Sequence, residues 1–147
     1  MNKTITLSLI AFLGIFSAAF AGESPSADGA RQYFVNLADG DIISSPFKII
    51  FGLNGMGVAP AGTEKANTGH HHLFIDRPVL GKGEDGADEF DGNIISDEHN
   101  VHFGKGQTET MLELTPGTHT LQLVLGDLDH IPHNKPVSSD VITITVK

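Results

Sequence analysis

The sequence predicts an all-β domain that folds as a sandwich of two antiparallel sheets with about seven short strands. Apolar and polar residues alternate in several short runs, as they do in strands that bury one face. Turn-forming residues separate these runs, and the 147-residue chain contains 17 Gly and 7 Pro. After residue 21 the sequence shows no sustained apolar stripe of helical period. An up-and-down barrel is the alternative arrangement of the same strands.

Four strand candidates occupy the first half of the chain. They are residues 31–37, 42–43, 47–53 and 70–75. The first ends at Asp39-Gly40, a dipeptide that is typical of hairpin turns. The third places Phe47, Ile49 and Phe51 on one face, which predicts that this face lies in the core.

Three further candidates follow in the second half, at residues 108–114, 119–125 and 141–146. The first two are joined at Thr115-Pro116-Gly117, where Pro and Gly favour a turn. In the last, the side chains alternate between aliphatic residues and threonines, as expected for a strand with one solvated face. Residues 76–98 are expected to form a long acidic loop, with a small hairpin around residues 93–95.

The start of the chain has the features of a secretory signal peptide. Lys3 precedes an apolar run of about a dozen residues, and Ala19-Phe20-Ala21 fits the small-x-small cleavage rule. The sequence therefore predicts a signal peptide at 1–21 with cleavage after Ala21, a linker at 22–30 and a β-sandwich domain at 31–147. The mature protein is expected in the periplasm or secreted, without a membrane span.

Charge and cysteine content exclude several classes of function. The mature chain would hold 8 basic and 18 acidic residues, a formal charge of −10, because Lys3 leaves with the leader. This charge disfavours nucleic-acid binding and binding to anionic membranes, since both require a basic surface. The absence of Cys excludes disulfides, thiolate metal sites and cysteine nucleophiles.

Eight histidines in so short a chain indicate a metal site. Three are consecutive, two pairs form H-x-x-H sequences, and His119 stands alone. Imidazole suits copper, zinc, nickel and iron, and a site needs three or four ligands from different segments. In a strand, His70 and His72 point to one face, whereas His71 shares the face of Leu73 and Ile75.

The expected ligands are therefore His70, His72, His102, His130, His133 and His99. Side chains expected to orient these ligands, or to lie just behind them, are His71, His119, Glu109, Asp127 and Asp129. For His71 and His119, a buried histidine bonded to the backbone is the competing interpretation.

Five ordered strings in the chain are similar to a known family. They are Gly55–Glu64, Asn67–Leu73, His102–Glu109, Pro116–Leu123 and Gly126–His133. Together they resemble a bacterial exported family of uncharacterised proteins, the domain of unknown function 4399. The resemblance implies a compact β domain and brings no activity with it. The first strand and Asp39-Gly40 also resemble the opening of exported immunoglobulin-like domains, which is a likeness of fold alone.

Three functions are compatible with these features. The leading hypothesis is an exported binding protein that holds a transition metal, copper ahead of zinc, at one end of an immunoglobulin-like sandwich. The alternative is a structural or interaction domain in which the histidines form hydrogen bonds that brace the loops. The third is a metal-dependent hydrolase with Glu109 or Glu64 as base, although the sequence favours binding over catalysis. The metal ion is the one partner that the sequence indicates.

Overall fold

A computed structural model describes residues 24–147, and the predicted signal peptide at 1–21 lies outside this range. The described chain forms two packed sheets, which confirms the all-β sandwich. Its strands in chain order are β1 (Arg31–Phe34), β2 (Ile42–Ile43), β3 (Phe47–Asn54), β4 (Gly57–Val58), β5 (Thr68–Ile75), β6 (Asn100–His102), β7 (Glu109–Leu112), β8 (Gly117–Gly126) and β9 (Ile142–Val146).

The smaller sheet contains three antiparallel strands in the order β1-β3-β7. The larger sheet contains six strands, and its main path runs β2-β9-β8-β5. Two short strands, β4 and β6, both pair with the remaining edge of β5. Two pairings are parallel, β2 with β9 and β4 with β5, and the other pairings are antiparallel.

Two strands and one turn of helix differ from the predictions. The sequence did not indicate β4 or β6, because runs of two and three residues are too short for an alternating pattern to emerge. The acidic loop holds a 3₁₀ turn at Gly86–Phe90. The small hairpin expected at residues 93–95 does not form in the described chain, and the Ile94 N–H instead donates to the His130 carbonyl.

Alternating apolar side chains from both sheets fill the space between them. Strands β3, β5, β8 and β9 contribute every second residue, as the sequence pattern requires, and Phe103 follows β6. The core consists of Phe47, Ile49, Phe51, Leu73, Ile75, Phe103, Leu121, Leu123, Ile142, Ile144 and Val146. Full burial of one such side chain contributes about 1.5–3 kcal/mol, so this layer is the main source of stability.

The larger sheet is also covered on its outer face. Phe74 and Val124 point away from the sandwich core and pack against Leu80 and Ile94 of the acidic loop, with Phe90 alongside. As a result β5 has almost no exposed side chain on either face. This second cover creates a buried environment on the face that also carries His70 and His72.

The described part of the predicted linker, 24–30, is attached to the domain. Ser26 N–H donates to the Asn134 carbonyl, and Asn134 N–H donates to the Ser24 carbonyl. The Ser24 hydroxyl donates to Asp127 Oδ2 at 2.7 Å. Within residues 24–147, no helix has the length and apolar character needed to cross a membrane.

His119 joins the start of β8 to the end of β5. Its Nδ1 lies 2.6 Å from Asp76 Oδ2, and its Nε2 lies 2.9 Å from the Thr115 carbonyl oxygen. Both ring nitrogens therefore face acceptors, an arrangement that favours the doubly protonated ring. The hydrogen bond that His119 donates to Asp76, followed by the one it donates to Thr115, raises the pKa of His119 above its usual 6.5.

We expect His119→Gln to cost more stability at pH 6 than at pH 8. A group whose pKa is higher in the folded than in the unfolded protein stabilises the fold. Its contribution is fully present below the unfolded pKa of 6.5 and is lost as the pH rises through the folded pKa. The pair is partly exposed, so the difference should be below about 1 kcal/mol. Urea unfolding of both proteins at the two pH values measures it, and an equal cost at both would contradict the assignment.

Candidate metal centre

Four imidazole rings pack together on the outer face of the larger sheet. His70 and His72 come from β5, His102 comes from β6, and His130 comes from the loop that follows β8. The six distances between ring centroids range from 4.6 Å to 6.0 Å. We refer to these four residues as the histidine cluster.

Strand pairing brings the cluster together from three distant parts of the chain. His72 lies opposite His102 across the β5–β6 pair. His70 lies opposite Gly126, the last residue of β8, so the following loop begins beside it. Directly opposed residues share a face of a sheet, which places the rings of His72 and His102 side by side.

Nitrogen atoms converge within the cluster. His72 Nε2 lies 3.1 Å from His70 Nε2. Ring nitrogens of His70, His102 and His130 all lie within 4.8 Å of one another. One cation about 2.1 Å from each nitrogen is compatible with a 3.1 Å separation of two ligand atoms. The geometry is therefore suited to a single metal ion bound by imidazoles.

Several of these nitrogens are buried without a hydrogen-bond partner. His70 and His72 have no exposed surface. Within the described chain, His70 Nδ1, His72 Nδ1 and His102 Nε2 each lack a partner. A buried polar atom without a partner costs about 1–3 kcal/mol, so these nitrogens destabilise the folded protein as long as nothing binds them.

Burial and mutual repulsion keep His70, His72 and His102 neutral. Burial first, and then the neighbouring rings, lowers the pKa of His70 to about 4 and that of His72 to about 3. Burial and then His130 also lower the pKa of His102. Near pH 7 these three rings are uncharged, which is the form in which imidazole binds a metal.

The loop that carries His130 is organised around Asp127. The Asp127 Oδ1 atom accepts hydrogen bonds from the N–H groups of Asp129 and Ile131, each at 2.9 Å. Between them, His130 adopts a left-handed backbone with φ of 67°. A non-glycine residue rarely holds this conformation unless the surrounding contacts impose it. The carboxylate also opposes the lowering of the His70 pKa.

Two glycines provide the space that the rings occupy. A Cβ atom on Gly126 would lie 2.9 Å from His72 Nε2 and 3.3 Å from the His130 Cα. A Cβ atom on Gly104 would lie 2.3 Å from His102 Cε1. Neither glycine has a positive φ, so each is required by close approach and not by backbone conformation. Sequence reasoning missed this role, although Gly126 ends β8 and Gly104 lies two residues after His102.

Two of the six expected ligands lie outside the cluster. His133 is buried, with Nε2 3.2 Å from the Thr68 carbonyl oxygen and Nδ1 3.4 Å from that of Leu125. His99 is half-exposed, and its Nδ1 lies 2.9 Å from the Ile75 carbonyl oxygen. Each of these rings therefore faces a backbone carbonyl, which the H-x-x-H spacing does not reveal.

The remaining two histidines also lie apart from the cluster. His71 points into the inter-sheet core, where its ring packs on Phe51 and its Nδ1 lies 2.5 Å from Gln32 Oε1. Burial lowers the pKa of His71 to about 4. His119 belongs to the contact with Asp76 described above. Strand alternation predicted that His71 and His70 face opposite sides, and the structure has this arrangement.

The expected acidic neighbours occupy different places. Asp127 lies directly behind the His130 loop, and Asp129 takes part in the same turn through its backbone. Glu109 lies on β7 of the smaller sheet, where its Oε1 is 2.8 Å from Lys48 Nζ on the solvent side. Glu64 is exposed in the loop after β4. The sequence placed Glu109 near the site because strand patterns do not specify which sheet a strand joins.

The sequence was compared with known protein families, curated proteins and solved structures. Curated proteins and solved structures give no match to the chain. The profile described as "Domain of unknown function (DUF4399)" matches residues 49–147. The matched region runs from β3 to the end of the chain and includes all four rings of the histidine cluster. Because the match covers most of the sequence, the chain belongs to the DUF4399 family.

Proposed function

We propose that this protein is an exported binding protein that holds one transition metal ion, copper or zinc, in the histidine cluster. The ligands in this proposal are ring nitrogens of His70, His72, His102 and His130. His133 and His99 are not included, because their rings face backbone carbonyls.

The observation that supports the proposal is the convergence of ring nitrogens of His70, His102 and His130, two of whose nitrogens, His70 Nδ1 and His102 Nε2, are buried without a hydrogen-bond partner. Hydrogen-bonding groups that are buried without partners are rare in folded proteins, and each needs an explanation. A bound cation would supply that explanation, because ring nitrogens turned toward it would donate their lone pairs. The neutral state of three of the rings adds support, since no proton has to leave before the metal binds.

The donor set determines which metals the proposal includes. Only imidazoles converge, and the chain has no Cys to supply a thiolate. The carboxylate of Asp127, behind the His130 loop, is already engaged by two backbone N–H groups and the Ser24 hydroxyl. Nitrogen-only sites bind borderline divalent ions, and within this series copper binds more tightly than zinc.

The exposure of the four ligands supports an exchangeable site. His70 and His72 are fully buried, whereas His102 and His130 are partly exposed. An ion would enter and leave on the side of His102 and His130. Sequestration or delivery of metal outside the cytoplasm fits such a site and the predicted signal peptide.

The alternative function is a structural or interaction domain. The observation in its favour is that four histidines outside the cluster are each hydrogen-bonded to the protein. The rings of His71, His99, His119 and His133 connect strands or loops in this way. In this alternative the four rings of the cluster would likewise hold strands and loops together.

We expect the mature protein to bind one equivalent of Cu(II) or Zn(II) and the variant His70→Ala/His72→Ala to bind none. Native mass spectrometry of untagged protein measures this, and copper should displace zinc. His99→Ala/His119→Ala is the matched control, because it removes two imidazoles outside the cluster. A single His102→Ala change, at a partly exposed ring, covers the case in which the buried variant does not fold. A wild-type mass that stays metal-free would reject the proposal and favour the alternative.

Acidification should destabilise the metal-free protein. The folded pKa values of His70 and His72 lie below the unfolded value of 6.5, so the unfolded chain binds more protons between these values. The contribution of these two rings to the free energy of unfolding is therefore fully present above about pH 6.5. It is lost as the pH falls toward 4. We expect the melting temperature with a chelator to fall by roughly 5–10 °C between pH 7 and pH 5.

The control for this measurement is His99→Ala, which retains the cluster and should lose stability as the wild type does. A melting temperature that stays constant from pH 7 to pH 5 would show that the cluster does not contain buried neutral rings.

Gly126→Ala should weaken metal binding although it removes no ligand. The new Cβ would lie 2.9 Å from His72 Nε2, so the ring must move away from its neighbours. Disturbance of groups behind a metal ligand typically lowers affinity by about 10–100-fold. Competition with a chromophoric chelator measures the change. In the control Gly57→Ala the added Cβ has ordinary contacts of 3.4 Å or longer, and affinity should be unchanged.

A further inference from the structure

Asn100 is a buried polar residue that no strand pattern predicted as part of a site. It lies on β6 opposite Phe74, on the face that carries the histidine cluster. Its side chain has no exposed surface. The Nδ2 atom donates to the Ile95 carbonyl at 2.6 Å, whereas Oδ1 has no hydrogen-bond partner in the described chain.

The ring of His72 presents a complementary atom. His72 Nδ1 is buried and also lacks a partner among residues 24–147. The two side chains are diagonal neighbours, because Asn100 lies two residues before His102, the partner of His72 across the β5–β6 pair, and both project from the same face. An acceptor without a donor thus lies beside a ring nitrogen without a partner.

The Ile95 carbonyl determines which end of the amide faces the ring. Because the amide nitrogen donates to Ile95, the oxygen is the end that is left for His72. A carbonyl oxygen only accepts, so it selects the tautomer in which Nδ1 carries the proton. The lone pair of the ring then resides on Nε2, the atom that lies 3.1 Å from His70 Nε2 in the cluster.

We propose that Asn100 is a positioning residue that holds His72 as the Nδ1–H tautomer and directs its Nε2 lone pair to the metal. The contribution to metal binding rests on the proposed function. The choice of tautomer is a property of the protein without metal. Histidine ligands commonly donate their second ring N–H to an oxygen that fixes the ring, and this role is assigned here to a carboxamide.

The tautomer can be measured directly in the wild-type protein. Long-range ¹H–¹⁵N spectra of protein labelled at histidine distinguish the two neutral tautomers of His72 at pH 7.5. The proposal requires Nδ1–H both with a chelator and with one equivalent of Zn(II). An Nε2–H tautomer, or Zn(II) bound through His72 Nδ1, would overturn it without any variant.

Two variants then test the role in binding. Asn100→Leu removes the acceptor and should weaken Zn(II) binding by about 10–100-fold, with both tautomers of His72 populated. Asn100→Asp retains an acceptor oxygen and should keep the Nδ1–H tautomer and most of the affinity. Asn36→Leu is the control, because Asn36 also bonds to the backbone, at Lys48 and Ile50, but lies in the bend after β1, beside the smaller sheet.

The outcomes separate this inference from the proposed function. If the wild type binds Zn(II) and Asn100→Leu changes neither the affinity nor the tautomer relative to Asn36→Leu, the role of Asn100 is rejected and the metal site stands. If no metal binds but the His72 tautomer still depends on Asn100, the proposed function fails and the selection of the tautomer stands.

Discussion

The antiparallel pairing of β5 with β8 is the interaction on which the rest of the molecule depends. Its register sets Leu73 against Leu123 in the inter-sheet core. The same register sets His70 against Gly126, where the loop with His130 begins. A shift by one residue would move every side chain of β5 to the opposite face, so core and cluster are specified together.

The cluster illustrates how a sandwich can bury polar groups outside its main core. The acidic loop packs Leu80 and Ile94 on the outer face of the larger sheet, the face on which His70 and His72 are also buried. This desolvation lowers the basicity of the imidazoles and leaves their nitrogens without water as a partner. The same burial therefore destabilises the cluster when no cation is bound and favours the binding of one.

Strand alternation predicted the part of the site that lies within one strand. It correctly placed His70 and His72 on the face opposite His71, because the side-chain period of a strand is two. It could not separate His130 from His133, since their orientations depend on the turn around Asp127 and on a left-handed residue. It also missed Asn100, although that residue shares the parity of His102, because the three residues of β6 carry no pattern of their own.

The bond between the Ser24 hydroxyl and Asp127 spans 103 positions of the chain and closes the turn that carries His130. Contacts of such sequence separation form late, because the entropy of closing a long loop must be met first. Before the fold closes, the run at 70–72 and the two H-x-x-H pairs are separate short segments, and the four rings of the cluster do not meet. Under the proposed function, coordination by all four rings therefore requires the completed fold, and a partly folded chain would compete poorly for metal with the folded protein.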